Sequence, residues 1–286
     1  MSLKDILNGD RVVAAPGAYD AYSARLIAQA GFPIAYLSGL ANEASDLGYP
    51  DLGLTTAAEL VRRAANIARV VDVPVVCDAD TGFGGLANVT RTVREFEAAG
   101  ISAIHIEDQT FPKRCGALPG KQVIEASAFE RTIAQACNAR RDDKFLIIAR
   151  TDAKNAHGVT GVIERLNAYH AAGADAVMTG DFFSADEYRE ITANLTAPLV
   201  ACASDSAHEH AQPNFNMDEW QALGVRVVVY WYLALFAASA AVQNAVAELR
   251  DLGQAGSGTT PMHGYKEYAE VVDLDAWLTI EDDLSR

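Results

Sequence analysis

Short apolar runs recur along the chain at Val12–Ala15, Ile34–Leu37, Val73–Cys77, Ala103–Ile106, Phe145–Ala149, Ala174–Met178, Leu199–Ala203 and Val225–Val229. A brief run rich in valine and isoleucine, bounded by glycine, proline or charge, reads as a strand buried on both faces. Longer amphipathic segments separate the runs. Val89, Val93 and Phe96 take helical spacing ahead of Gly100, and Gly31, Gly173 and Gly224 stop others. Eight such alternations are what a (β/α)8 TIM barrel requires, although a doubly wound open sheet has the same rhythm. No Gly-x-Gly-x-x-Gly or Walker loop follows the early runs, which weighs against nucleotide binding. The rhythm continues without a composition break. Residues 1–286 are therefore expected to form one barrel domain, with a C-terminal helical extension from about residue 253.

The third run carries the first chemical signal, because Val75-Val76-Cys77 ends in Asp78-Ala79-Asp80 and then Thr81-Gly82-Phe83-Gly84-Gly85. On a strand, Asp78 and Asp80 would leave the same face. Two adjacent carboxylates repel and are costly to bury without a counter-charge. A divalent cation with oxygen ligands, Mg2+ or Mn2+, resolves that cost. A surface turn capping the next helix is the plain alternative. Polar residues also follow the other runs: Ser38, Glu107 with Asp108, Arg150 with Asp152, Asp181, and Ser204 with Asp205. In a parallel barrel these positions share the face where active sites lie. Asp181 and Asp205 are expected to serve as helix caps.

The stretch from Ile106 to Lys121 begins with acids and becomes a basic loop bearing glycine and proline, suited to closing over an anion and excluding water. Lys113 and Arg114 would favour the Cys115 thiolate if all three converge. A lone loop cysteine is more often inert. His105 either touches the metal shell or is structural. His208-Glu209-His210 reads as a solvated loop, Asp152 as a partner of Arg150 or a cap, and Gly253–Thr260 as a flexible connection.

Charge narrows the partners. The chain has 23 Lys plus Arg against 38 Asp plus Glu, a formal charge of −15 with no long basic run, so no nucleic acid is expected. Val225–Val242 is interrupted by Arg226 and divides into a strand and a helix, so no membrane span is expected. Met1–Leu7 lacks signal-peptide character, and Cys77, Cys115, Cys137 and Cys202 are scattered; both point to a reduced, cytoplasmic protein.

In order, Asp78-Ala79-Asp80-Thr81-Gly82-Phe83-Gly84-Gly85, His105-Ile106-Glu107-Asp108-Gln109, Lys113-Arg114-Cys115-Gly116 and Ala149-Arg150-Thr151-Asp152-Ala153 resemble the isocitrate lyase and phosphoenolpyruvate mutase superfamily. Tyr36-Leu37-Ser38-Gly39 and Pro50-Asp51-Leu52-Gly53 match further family positions. The resemblance implies a TIM barrel whose last helix is exchanged with a neighbouring subunit, in a homotetramer built from two such dimers. The apolar segment Tyr232–Val242 suits a helix buried between partners. It also implies Mg2+ bound directly by Asp78 and, through water, by Asp51, Asp80 and Glu107. Ser38, Gly39, Gly116 and Arg150 would hold a carboxylic acid substrate, and the Lys113-Arg114-Cys115-Gly116 loop would be the gate. Cys115 would protonate the carbanion left by carbon–carbon cleavage. Tyr36 would take the hydroxyl proton or form a hydrogen-bonding wall.

Three departures bear on the substrate. Ala117 stands where isocitrate and methylisocitrate lyases have histidine, Thr179-Gly180-Asp181 where they have proline and glutamate, and Cys202 where they have asparagine. Fewer polar partners for a third carboxylate favour a smaller acid. The expected activity is a Mg2+-dependent carbon–carbon lyase cleaving a substituted malate to a 2-oxo acid such as pyruvate and a carboxylic acid. The alternative is an oxaloacetate or other 2-oxo acid hydrolase or decarboxylase. Methylisocitrate cleavage, phosphonopyruvate-type chemistry and a non-catalytic acid-binding barrel rank below these.

Overall fold

The computed structural model describes residues 1–204, 212–256 and 259–284, without the side chains of 281–284. Eight parallel strands close into a barrel in sequence order: β1 (Val13–Ala18), β2 (Ala35–Leu37), β3 (Val75–Asp78), β4 (Ala103–Glu107), β5 (Leu146–Thr151), β6 (Ala176–Thr179), β7 (Leu199–Cys202) and β8 (Val227–Tyr230). Val13 pairs with Val227 to complete the ring. Closure excludes the open-sheet alternative. Each expected run contains its strand to within a few residues.

Alternate residues of each strand serve two cores, as the two-residue period requires. Tyr36, Val76, Ile148, Met178, Val200 and Val229 pack inside the barrel with Leu3, Ile6 and Leu7 of the helix that precedes β1. Leu37, Cys77, Ile104 and Ala149 face the outer helices, against residues such as Leu60, Val93, Phe96 and Phe129. Leu60, Ala64 and Ile67 illustrate why those helices form, since they put one apolar stripe of Ala57–Ala68 on the barrel behind a Thr56 capping box.

The helix after β8, Leu233–Leu252, differs from the helices between the strands because none of its residues is buried. Leu233, Phe236, Val242, Val246, Leu249 and Leu252 are all exposed. The helices Tyr265–Val271 and Leu274–Leu284 follow it, and Tyr268 stacks on Tyr22 of the first barrel helix at 6.4 Å. The expected connection Gly253–Thr260 is in part ordered by Glu248, whose carboxylate accepts from the backbone N–H groups of Thr259 and Thr260. Asp205 and His208-Glu209-His210 lie outside the described residues. No described helix is long and apolar enough to cross a membrane.

Candidate active site

The strands deliver Tyr36, Asp78, Glu107, Arg150 and Cys202 to one end of the barrel, all buried. Asp78 is the last residue of β3, but Asp80 lies beyond it with φ of 46°, a left-handed conformation that aspartate tolerates better than most residues. The expected shared strand face is therefore wrong. The Asp80 backbone N–H instead donates to Asp78 Oδ1 at 3.0 Å, and this turn brings the two carboxyl groups together.

Lys113 enters the cluster from the loop and forms ion pairs with Asp51 and, at 2.7 Å, with Asp80. Arg150 Nη1 stands 3.1 Å from Glu107 Oε2 and 3.8 Å from Asp78 Oδ2. These two cations do not offset burial. Burial pushes Asp78 and Asp80 upward, Asp80 to about 6, and raises Glu107 well above the usual range. Both Glu107 oxygens are buried without a well-directed hydrogen bond. Among the described residues no three His, Cys, Asp or Glu side chains converge tightly enough to hold a metal together. An acid cluster short of positive charge, with open carboxylate oxygens and no closed ligand cage, fits a hard cation held by one carboxylate and water.

His105 is the main residue that sequence left undecided. It is fully buried, with Nε2 2.8 Å from the Tyr36 hydroxyl and Nδ1 3.5 Å from Asp78 Oδ1. Burial, reinforced by Arg150, holds its pKa well below the ordinary histidine value, so the ring is neutral. Burial, together with Asp78, keeps the Tyr36 phenol protonated.

Asp152 receives Arg150 through two hydrogen bonds, from Nε at 2.9 Å and Nη2 at 3.1 Å, which fixes the guanidinium. The Asp152 backbone N–H donates to Asp108 Oδ1. Gly180 belongs to the same packing, since any Cβ there would run into Arg150 Nε and Asp152 Oδ1. Asp181 is not the expected cap of the helix that follows it. It is buried, ion-paired with Lys121 at 2.5 Å, and accepts from the Lys154 N–H at the start of the preceding helix.

The loop corrects two further expectations. Arg114 is exposed, its Nη1 3.3 Å from the Pro119 carbonyl, so it takes no part in the cluster. Cys115 is buried and its thiol is pushed up to about 12, first by burial and then by Asp51. The convergence that would favour a thiolate does not occur, because Lys113 is committed to Asp51 and Asp80 and Arg114 points away. A thiol that keeps its proton is suited to act as an acid. Glu43, which no sequence pattern flags, accepts backbone N–H bonds from Leu52, Leu54 and Thr55 and so braces the segment that carries Asp51.

A small cavity of about 30 Å3 remains between these groups. Its lining combines the polar Tyr36, Ser38, Asp51, Asp78 and Arg150 with Cys115, Gly116 and Ala117 of the loop and with Leu40, Gly180, Phe182, Cys202 and Trp231. Ser38 also caps the short helix Gly39–Asn42, and Gly39 lies against Asp78. The volume holds about one or two waters, so a substrate enters only when the loop opens.

The barrel and the groups at the C-terminal ends of its strands define a (β/α)8 enzyme that handles a small carboxylate. The phosphoenolpyruvate phosphomutase family model matches residues 3–250. The chain belongs to the isocitrate lyase/phosphoenolpyruvate mutase superfamily and is an enzyme of its lyase type. It is 40% identical over 252 residues to a probable 2-methylisocitrate lyase of Corynebacterium glutamicum, covering 88% of this chain and 81% of the relative. It is 33% identical to the 2,3-dimethylmalate lyase of Eubacterium barkeri, covering 98% and 96%. An oxaloacetate acetylhydrolase solved with 3,3-difluorooxalacetate superposes with a TM-score of 0.92 at 31% identity, over 99% of this chain and 96% of that one. A phosphonopyruvate hydrolase solved with oxalate and Mg2+ gives 0.89 at 29% identity, covering both chains fully.

Proposed function

We propose that this chain is a Mg2+-dependent lyase that cleaves a substituted malate to a 2-oxo acid such as pyruvate and a carboxylic acid. One observation carries the reading: a protonated thiol lines a cavity together with a fixed guanidinium, the Asp51 and Asp78 carboxylates and an apolar patch of Leu40, Ala117, Phe182, Cys202 and Trp231. Arg150 receives the carboxylate next to the hydroxyl-bearing carbon, with Ser38 and Gly39 beside it. Asp78 would hold Mg2+ directly, with Asp51, Asp80 and Glu107 acting through water. When bound, the cation supplies positive charge against the substrate's oxygens.

The proton path follows from the His105 contact. The Tyr36 hydroxyl stands 2.8 Å from His105 Nε2, and along that contact it relays the proton it accepts from the substrate hydroxyl. The C2–C3 bond breaks, its electron pair stays on C3, and Cys115 gives C3 its proton. The apolar wall takes the substituents of C3. The 40% identity to a probable 2-methylisocitrate lyase is an average over 252 residues, whereas Ala117, Cys202, Leu40, Phe182 and Trp231 touch the cavity and offer a third carboxylate no charged partner. Asp181, the one acid at the departing positions, is held by Lys121.

The second reading, cleavage of a 2-oxo acid such as oxaloacetate, draws on the superposition with an oxaloacetate acetylhydrolase. Product analysis with both substrate classes, using the native chain and Cys115→Ser, separates the two. The lyase loses nearly all turnover with the thiol, and retained turnover on oxaloacetate would favour the second reading. The exposed face of Leu233–Leu252 is the reason to place the chain in a helix-exchanged dimer within a homotetramer.

A further inference from the structure

The loop is tied to the barrel at a point apart from the acid cluster. Lys121, its side chain 1% exposed, places Nζ 2.7 Å from the Gly116 carbonyl, 3.0 Å from Asp152 Oδ1 and 2.5 Å from Asp181 Oδ1. All three ammonium donors are engaged. Burial alone would lower the Lys121 pKa, but Asp152 and Asp181 outweigh it and the group stays charged. Both carboxylates are anchored independently of the loop, Asp152 by Arg150 and Asp181 by the Lys154 backbone. Gly116 is seated so closely that a Cβ would stand 2.7 Å from the Gly180 carbonyl. Lys113 and the Cys115 N–H, which donates to the Asp51 carbonyl, tie the segment to the acid cluster itself, and Gln109, just beyond β4, exchanges two hydrogen bonds with the Arg114 backbone.

We propose that Lys121 is the positioning residue that latches the loop shut, holding the Gly116 carbonyl to the Asp152 and Asp181 carboxylates so that the adjacent Cys115 thiol faces the cavity. The inference rests on the reading of Cys115 as the acid. Asp152 serves two cations at once, so the carboxylate that orients the substrate-binding Arg150 also sets the closed position of the acid. A broken latch leaves cation and carboxylate binding intact but lets the thiol stray from the carbon it protonates.

The test is the rate of Cys115 alkylation by iodoacetamide, followed by peptide mass spectrometry with and without Mg2+ plus oxalate. The full chain is compared with Lys121→Met and with Lys121→Met/Asp181→Asn. The double variant removes the charge pair together and leaves no unpaired Asp181 carboxylate to compromise folding. A charge-assisted bond of this kind is worth about a tenfold change in the closed fraction. In the native chain Mg2+ plus oxalate should slow alkylation by about tenfold; in the variants the slowing should fall below about twofold, with calorimetric binding of Mg2+ and oxalate preserved and kcat reduced far more than KM rises. Equal protection of Cys115 in native and variant chains would overturn the latch, as would a native thiol that Mg2+ plus oxalate does not protect. Full activity of Cys115→Ser would overturn the acid role instead, and it would leave the protection measurement unaffected.

Discussion

Gly39 and Asp78 meet so closely that a Cβ on Gly39 would stand 2.8 Å from Asp78 Oδ2. The end of β2 thus lets the β3 carboxylate turn toward the site. Overpacking of this kind costs about 1–3 kcal/mol. Gly39→Ala is expected to weaken Mg2+ binding by about tenfold, measured by calorimetry on the folded variant. Unchanged affinity would remove Asp78 as the direct ligand.

Cys115 is expected to behave as a buried thiol. With its pKa near 12, its alkylation rate should climb by about tenfold per pH unit from pH 7 to 10 without levelling, because only the rare thiolate reacts. A plateau near neutral pH would mean that the basic neighbours do act on it. Cys115→Ser should lower kcat on a substituted malate by about 10²–10⁴-fold, the usual contribution of a positioned acid.

Mg2+ affinity should depend on pH through Asp80, raised to about 6 by burial. Below that pH the carboxyl is protonated and must release its proton before the cation binds. Apparent affinity is then expected to rise by about fivefold from pH 5 to 6 and to level above about pH 7. A titration series in buffers of different ionisation enthalpy reads both the affinity and the protons released. A flat profile would contradict the raised carboxyl.

Arg150→Lys keeps the charge but removes the fork that meets Asp152 twice. Two charge-assisted bonds at about 1.5–3 kcal/mol each make a loss of at least about 10²-fold in kcat/KM the expectation. Steady-state kinetics checks it, with circular dichroism to confirm the fold. A variant within a few-fold of the native rate would place the carboxylate elsewhere.

What the sequence disclosed and what it hid have a common physical basis. Apolar runs that end in acid or arginine put Asp78, Glu107 and Arg150 at strand ends, because the polarity change falls where a buried strand emerges. Asp80 was misplaced because nothing local announces a left-handed backbone. A Cys115 thiolate required Lys113 and Arg114 to converge on it, and neighbours in a loop diverge, Arg114 toward Pro119 and Lys113 toward Asp51, which lies 62 residues earlier. Lys121 and His105 depend on partners that the barrel brings in from far along the chain, Asp181 at 60 residues and Tyr36 at 69, and Glu43 on the course of the loop that returns Leu52, Leu54 and Thr55 to it. Trp231, whose Nε1 donates to the Ala203 carbonyl, lines the cavity from just beyond β8, in a run that read only as apolar.

The most direct test of the central claim is kcat/KM for pyruvate release from 2,3-dimethylmalate set beside that from 2-methylisocitrate, with Mg2+ and again with EDTA. An apolar cavity wall is expected to favour the dicarboxylate by at least about tenfold, since an unpaired buried carboxylate costs several kcal/mol, and EDTA should abolish both rates. Brisk cleavage of 2-methylisocitrate, or pyruvate release that EDTA does not stop, would contradict the account.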